Sequence, residues 1–412
     1  MHQNINRKEK TGSGRYSDDS WKRYAFFVEK ESGVRLTVAG TGKSEPFASM
    51  NYEEELRVKR RSLSLFMADA GLDADLADII ASPKPRHYRS TTKRRARFVS
   101  NRFLLSVDES SCDTSESLLE PEIHSGIYDR LSQLLNENIN RPVARCLNFI
   151  IIRGSYTEQA LIFNVSRIAA DIVKGCAMIA ERLRQSFTGI SSAFIYHDPS
   201  GSKYYFESIQ PADGLRMKRL FGHANLAIRA GGMLYTFHPA GFSQVNLSMA
   251  DCMLKEAGRL LSPPAEAEVV DLYCGYGFFS CSFAGSVASI TGIDYDRNSI
   301  EHARNNMKRL RPEGRYRFIS AAVEPEILAR TLTRGRRGEY ILLDPPRRGT
   351  QPGVIETLAE RKPEKVLHIF CGVETLPAEV RRWTECGYRL QKISVLDMFP
   401  GTANLEVMVL FS

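Results

Sequence analysis

A chain of 412 residues, 43% hydrophobic and 25% charged, can fill two or three domains with substantial cores and has an ordinary globular composition. Its formal net charge of +8 suits a partner carrying many phosphates. No run approaches the roughly 20 apolar residues of a membrane span, and the opening M-H-Q-N-I-N-R-K-E-K lacks the apolar centre of a secretory signal, so a cytoplasmic protein is expected.

The eight cysteines are Cys112, Cys146, Cys176, Cys252, Cys274, Cys281, Cys371 and Cys386. None forms a C-x-x-C pair, so neither a metal nor an iron–sulfur cluster is expected. There is no internal repeat or low-complexity tract.

Residues 1–48 are polar and read as a variable N-terminal extension, in which W-K-R-Y-A-F-F-V-E-K and V-R-L-T-V-A are expected to make a short hairpin. From Tyr52 the spacing of Leu56, Leu63, Phe66 and Met67 predicts a helix that Gly71 would stop. Arg57, Lys59, Arg60 and Arg61 form one basic stretch; a second runs from Arg86 to Arg102 and includes Arg89, Lys93, Arg94, Arg95 and Arg97, interleaved with Tyr88 and Phe98. Such runs support nucleic-acid contacts without establishing them. The strand-like C-L-N-F-I-I-I-R, A-L-I-F-N-V and S-A-F-I-Y-H and the amphipathic A-A-D-I-V-K-G-C-A-M-I-A-E-R-L-R-Q-S-F make residues 49–240 an α+β domain, the expected place of those contacts.

Residues 241–412 change rhythm. E-V-V-D-L-Y, I-T-G-I-D, Y-R-F-I-S, Y-I-L-L-D, K-V-L-H-I-F and E-V-M-V-L-F alternate with helical stretches, which predicts a doubly wound, largely parallel α/β sheet. Ligands of such sheets sit beyond the carboxyl ends of the strands, so the residues there are the candidates. Tyr273, Gly275 and Gly277 end the first strand, and the two glycines let backbone approach a nucleotide-like ligand. Asp294 ends the second strand, at the spacing of a ribose-binding acid. Ser280 breaks the full dinucleotide fingerprint and favours S-adenosylmethionine over a nicotinamide cofactor. The blander reading is that these glycines only tighten a turn. Asp344 opens D-P-P-R-R-G, whose prolines stiffen the chain beneath Asp344 and Arg347. Cys371 ends the next strand, where a cysteine by itself is more often core than catalyst. Glu406 enters the last apolar strand, where an idle carboxylate must be paired or exposed.

With Y-E-E-E-L-x-x-K, S-P-x(4)-Y-R at Ser82 to Arg89, F-S-Q-V-N at 242–246, D-L-Y-C-G-x-G, D-P-P-R-x-G, C-x-x-x-T-L and D-M-F-P-x-T-x-x-x-E in that order, the chain resembles the RNA uracil-5 methyltransferases from about residue 50 to its end. The resemblance implies a C-terminal Rossmann-like methyltransferase domain, S-adenosylmethionine as cofactor and tRNA or ribosomal RNA as partner. It assigns Gln244, Tyr273, Asp294 and Asp344 to holding the cofactor, Cys371 to nucleophile and Glu406 to base. Arg347 is a candidate for favouring the thiolate. Three positions depart from the family pattern: Phe370-Cys371-Gly372-Val373 stands where S-C-N-P is usual, Phe278 replaces a polar residue, and Asn404 replaces a histidine. Cluster-binding cysteines and an N-terminal RNA-binding barrel are not evident. The other readings are a methyltransferase of the same fold acting on another RNA position, and a non-catalytic RNA-binding scaffold.

Overall fold

The computed structural model describes residues 13–36, 45–72, 76, 78–99, 101–107, 117–200, 217–332 and 338–412. Cys112 lies outside them. The C-terminal half is a seven-stranded sheet in the spatial order Arg315–Ser320, Ser289–Asp294, Glu268–Leu272, Glu339–Leu343, Lys365–Phe370, Glu406–Phe411, Leu390–Leu396. All strands run parallel except Glu406–Phe411, which pairs antiparallel with both neighbours. The central strands are apolar along their whole length because helices cover both faces. This is the Rossmann-like α/β fold expected from the alternating pattern.

The preceding part is α+β, as its composition implied. Six strands lie in the order Arg102–Ser106, Thr91–Val99, Leu147–Gly154, Gln159–Val165, Ile190–His197, Met217–Gly222. The one parallel pair, Gln159–Val165 with Ile190–His197, is bridged by the crossover helix Ala170–Ser186. Helices Glu122–Leu135 and Ala170–Ser186 bury one face of this sheet around Ile127, Leu131, Phe163 and Ile179. Phe149, Ile162 and Phe194 on the other face join a core shared with the hairpin Leu226–Ala230/Met233–Phe237 and the seven-stranded sheet. The two parts are thus cemented by apolar packing.

The N-terminal region differs from expectation. W-K-R-Y-A-F-F-V-E-K lies in a helix, Ser13–Ser32, not in a hairpin strand. Tyr24 and Val28, one turn apart, are fully buried against Phe66 and the apolar face of the seven-stranded sheet. Alternating bulky residues suggested strands, but the i, i+4 pair is what the core selects. Val34–Leu36 has no regular structure, and the rest of V-R-L-T-V-A lies outside the described residues.

The basic stretches also need correction. Lys59 is fully buried, with Nζ 2.7 Å from Glu55 and 2.8 Å from Asp397, and it donates to the Phe399 carbonyl at 3.3 Å. Glu55 also takes Arg86 at 3.0 Å and accepts the Gly401 amide at 2.6 Å. Arg60 pairs with Asp78 and Arg61 with Glu31, each within 2.8 Å. Arg94 lies buried against Glu120 in a two-pronged pair at 2.5 Å, and Arg89 meets Glu45 at 3.3 Å. Lys59 and Arg94 are therefore structural, while Arg60, Arg61 and Arg89 pair with carboxylates nearer the surface.

Lys59 balances Glu55 and Asp397 in a water-free interior, so removing it leaves two carboxylates facing Arg86 alone. Lys59→Met is expected to destabilise the fold by about 3–5 kcal/mol, read as a lowered urea unfolding midpoint against the wild type.

Candidate active site

Strand register builds the site. Leu343 is opposite His368 in the parallel pair, and Phe370 is opposite Val407 in the antiparallel pair. One residue beyond Phe370 and one before Val407, Cys371 and Glu406 face each other. Residues opposed in this way project to the same face, with Cβ atoms about 5 Å apart. Only the antiparallel last strand makes this possible, because it brings its amino end to the edge where the other strands finish. Glu406 is buried rather than solvent-facing, and Cys371 is partly exposed. The sequence assigned both residues; their opposition came from pairing that no local pattern encodes.

The same edge gathers three acids. Asp294 accepts the Gly275 amide at 2.9 Å and the Asp296 amide at 2.8 Å. Asp271, which the sequence reading left unassigned, accepts the Ser280 hydroxyl at 2.5 Å through one oxygen, and its other oxygen is buried without a partner. Asp344 is anchored by its amide to the Leu272 carbonyl at 3.2 Å. Burial, opposed by the Ser280 hydrogen bonds and aided by Asp294, brings Asp271 up to about 7; burial, then Asp271 and Asp294, bring Asp344 up to about 7. Burial and then Asp344 push Glu406 well above the usual carboxylate range. Among the described residues no Lys or Arg forms an ion pair with any of these four acids.

The turn beside them has the backbone shape its glycines promised. Tyr273, Gly275 and Gly277 take φ of 62°, 52° and 81°. At Gly277 a Cβ would stand 3.2 Å from the Ala303 Cβ, so the close approach of strand and helix requires glycine. Gln244 sits in a segment fixed through Ser90, whose hydroxyl donates to the Gln244 carbonyl at 3.2 Å and whose amide donates to Val245 at 2.8 Å. A left-handed turn next to acids lacking a cation fits S-adenosylmethionine, whose adenosine needs close backbone and whose sulfonium and ammonium are positive. Asp294, Asp344, Tyr273, Gln244 and the two glycines are the residues that would hold it. Phe278 belongs to the core, where it packs on Tyr235 and Phe279.

The thiol is not primed in the way the sequence suggested. Burial, then Glu406 and Asp344, push Cys371 well above the ordinary cysteine range, and Arg347 opposes them only in part. Arg347 is shared: Nε donates to Glu374 at 2.6 Å and a terminal nitrogen donates to Asn404 at 2.8 Å. Glu374 and Asn404 both lie in the segments that depart from the family pattern.

Comparison with known proteins agrees with the geometry. Residues 264–331 match a methyltransferase domain family. An RNA methyltransferase of Streptococcus pneumoniae is 24% identical over 401 residues, covering 93% of this chain and 85% of its own length. The 23S rRNA (uracil(1939)-C(5))-methyltransferase of Aliivibrio salmonicida is 37% identical over 175 residues, 42% of this chain and 39% of that protein. Among solved structures, the tRNA (uracil-54, C5)-methyltransferase of Pyrococcus abyssi in complex with S-adenosyl-L-homocysteine superposes with a TM-score of 0.67 and 19% identity, covering 91% of this chain and 88% of its own. Among the described residues no helix is long and apolar enough to cross a membrane, and no cluster of His, Cys, Asp and Glu could hold a metal.

The raised acids make stability depend on pH. A carboxyl whose folded pKa lies above its unfolded value stabilises the fold while protonated, and that contribution disappears as pH rises through the folded value. With Asp271 and Asp344 at about 7, the ligand-free protein should lose roughly 2–3 kcal/mol between about pH 6 and about pH 8. Asp344→Asn should shrink that loss; urea unfolding at both pH values reads the difference.

Proposed function

From a chain that belongs with the RNA uracil-5 methyltransferases in its motifs, relatives and fold, we propose that it methylates C5 of a uridine in tRNA or ribosomal RNA through a covalent bond between Cys371 and C6. What carries this reading is the pairing of Phe370 with Val407, which continued by one residue puts Cys371 opposite Glu406 at the carboxyl edge of the sheet, and Glu406 is the foremost charge acting on the Cys371 thiol. A nucleophile and a carboxylate on one face, about 5 Å apart at Cβ, can address adjacent carbons of one pyrimidine.

Uracil C5 is a poor nucleophile, and the two side chains remedy this in order. The Cys371 thiol gives up its proton to solvent, the thiolate bonds to C6, and the C5=C6 pair of electrons moves towards O4, leaving C5 electron-rich. S-adenosylmethionine supplies the methyl group that C5 takes. Glu406 then accepts the C5 proton, the electrons of that bond restore C5=C6, and the Cys371 thiolate departs. The proton ends on Glu406 and passes to solvent as the site opens. Glu406 must be ionised at that step, and a carboxylate whose pKa burial and Asp344 raise is the stronger base for taking the proton. A uridine stacked in folded RNA must first rotate out into this crevice.

RNA containing 5-fluorouridine tests the reading, because fluorine at C5 cannot leave as a proton and the adduct cannot resolve. A protein–RNA band stable to denaturation is expected from the wild type with S-adenosylmethionine, and none from Cys371→Ala. Glu406→Gln should hold a methylated adduct on ordinary RNA and lower turnover by about 100-fold or more. An undiminished adduct in Cys371→Ala would remove that sulfur from the mechanism, and a methyl group found on a base nitrogen by nucleoside mass spectrometry would replace the reaction altogether.

A further inference from the structure

The helix Ser13–Ser32 reaches the chemistry. The Arg347 guanidinium lies 5.3 Å from the centroid of the Trp21 ring, over its face. The same guanidinium spans the loop after the nucleophile, through Glu374, and the loop before the base, through Asn404. One turn along the helix, the buried Tyr24 hydroxyl donates to the Ala403 carbonyl at 3.0 Å, three residues before Glu406. Trp21 and Tyr24 are themselves in contact at 5.7 Å between ring centres. Glu374 folds back over Gly372, where any Cβ would collide with its carboxylate. One helix thus holds both loops that flank the reacting pair.

We infer that Ser13–Ser32 is a working wall of the active site, with Trp21 a positioning residue that acts through Arg347 and Tyr24 one that ties down the base-bearing loop. The inference rests on the assignment of Cys371 and Glu406 as the reacting pair and says what keeps them in place. The charged and titratable groups that face the Cys371 sulfur are Glu406, Asp344, Glu374 and Arg347. Three are acids, so the position of the lone cation decides how readily the thiolate forms. A guanidinium stacked on an aromatic face and held by two acceptors stays at that position; without the ring it turns outward to water. The segment matters although it precedes every motif of the resemblance.

Alkylation of Cys371 by iodoacetamide, followed by peptide mass spectrometry from about pH 7 to about pH 10, reads the thiolate directly in the ligand-free protein. Trp21→Leu, which keeps apolar bulk but no aromatic face, should be alkylated about threefold more slowly at a given pH. Trp21→Phe should restore most of the rate, which a merely structural role would not require. Arg347→Gln should shift the profile in the same direction and at least as far. A Trp21→Leu or Arg347→Gln profile that overlays the wild type overturns the inference, as does a Trp21→Phe protein no faster than Trp21→Leu. No RNA takes part, so these outcomes stand apart from whether a fluorouridine adduct forms.

Discussion

The active site depends on a buried charge balance far from its chemistry. Glu55 and Asp397 face Lys59 and Arg86 in an interior where three of the four side chains are wholly inaccessible. Ions removed from water in this way gain little net stability unless every member is matched, but they tolerate almost no rearrangement. Here the matched set joins the helix Tyr52–Asp69 to the end of strand Leu390–Leu396 and to the Gly401 amide. The loop between that strand and Glu406 can therefore occupy one position. Specificity of place is what the network contributes.

The motifs that lack reactive groups converge on the same loop. Tyr88 of S-P-x(4)-Y-R donates its buried hydroxyl to the Pro400 carbonyl at 3.0 Å. Asn246 of F-S-Q-V-N donates to Ser82 at 3.1 Å and to the Met398 carbonyl at 3.2 Å. Beneath Cys371, Trp383 donates to His368 Nδ1 at 3.1 Å, and Glu379 accepts the Thr350 amide and hydroxyl at 2.7 and 2.8 Å. Loops carry function because rigid elements aim them. Several of the buried polar groups of this structure, from distant parts of the chain, aim the two loops.

Much of this was legible in the sequence, and the exceptions share a cause. The strands Leu147–Gly154, Gln159–Val165 and Ile190–His197, the helix Ala170–Ser186 and the alternating C-terminal pattern follow from local periodicity, which burial reinforces. Cys371, Asp344 and Glu406 could be singled out because each ends or begins an apolar strand. What stayed hidden was pairing between distant residues. Lys59 beside Arg60 and Arg61 looks like solvated charge until Asp397, more than three hundred positions away, is brought to it. Trp21 and Tyr24 look like strand residues until a sheet face selects their helical spacing. Asp271 was passed over because its neighbours are apolar, and only its unpartnered oxygen sets it apart.

The electrostatics of the crevice follow from that aiming. Asp271, Asp294, Asp344 and Glu406 are buried at one edge, where burial raises each of them, Asp271 and Asp294 raise Asp344, and Asp344 raises Glu406. Burial, Glu406 and Asp344 in turn oppose a thiolate at Cys371. Acids arranged without a counter-cation are poorly suited to a purely structural role, since apolar residues would fill the same volume at less cost in desolvation. They suit a site whose ligand brings the positive charge. In such a site the same burial that keeps the sulfur protonated and inert also strengthens every attraction to that ligand, because the dielectric is low for both. Arg347, half-exposed and clasped between Glu374, Asn404 and Trp21, is then the cation that the protein itself can place.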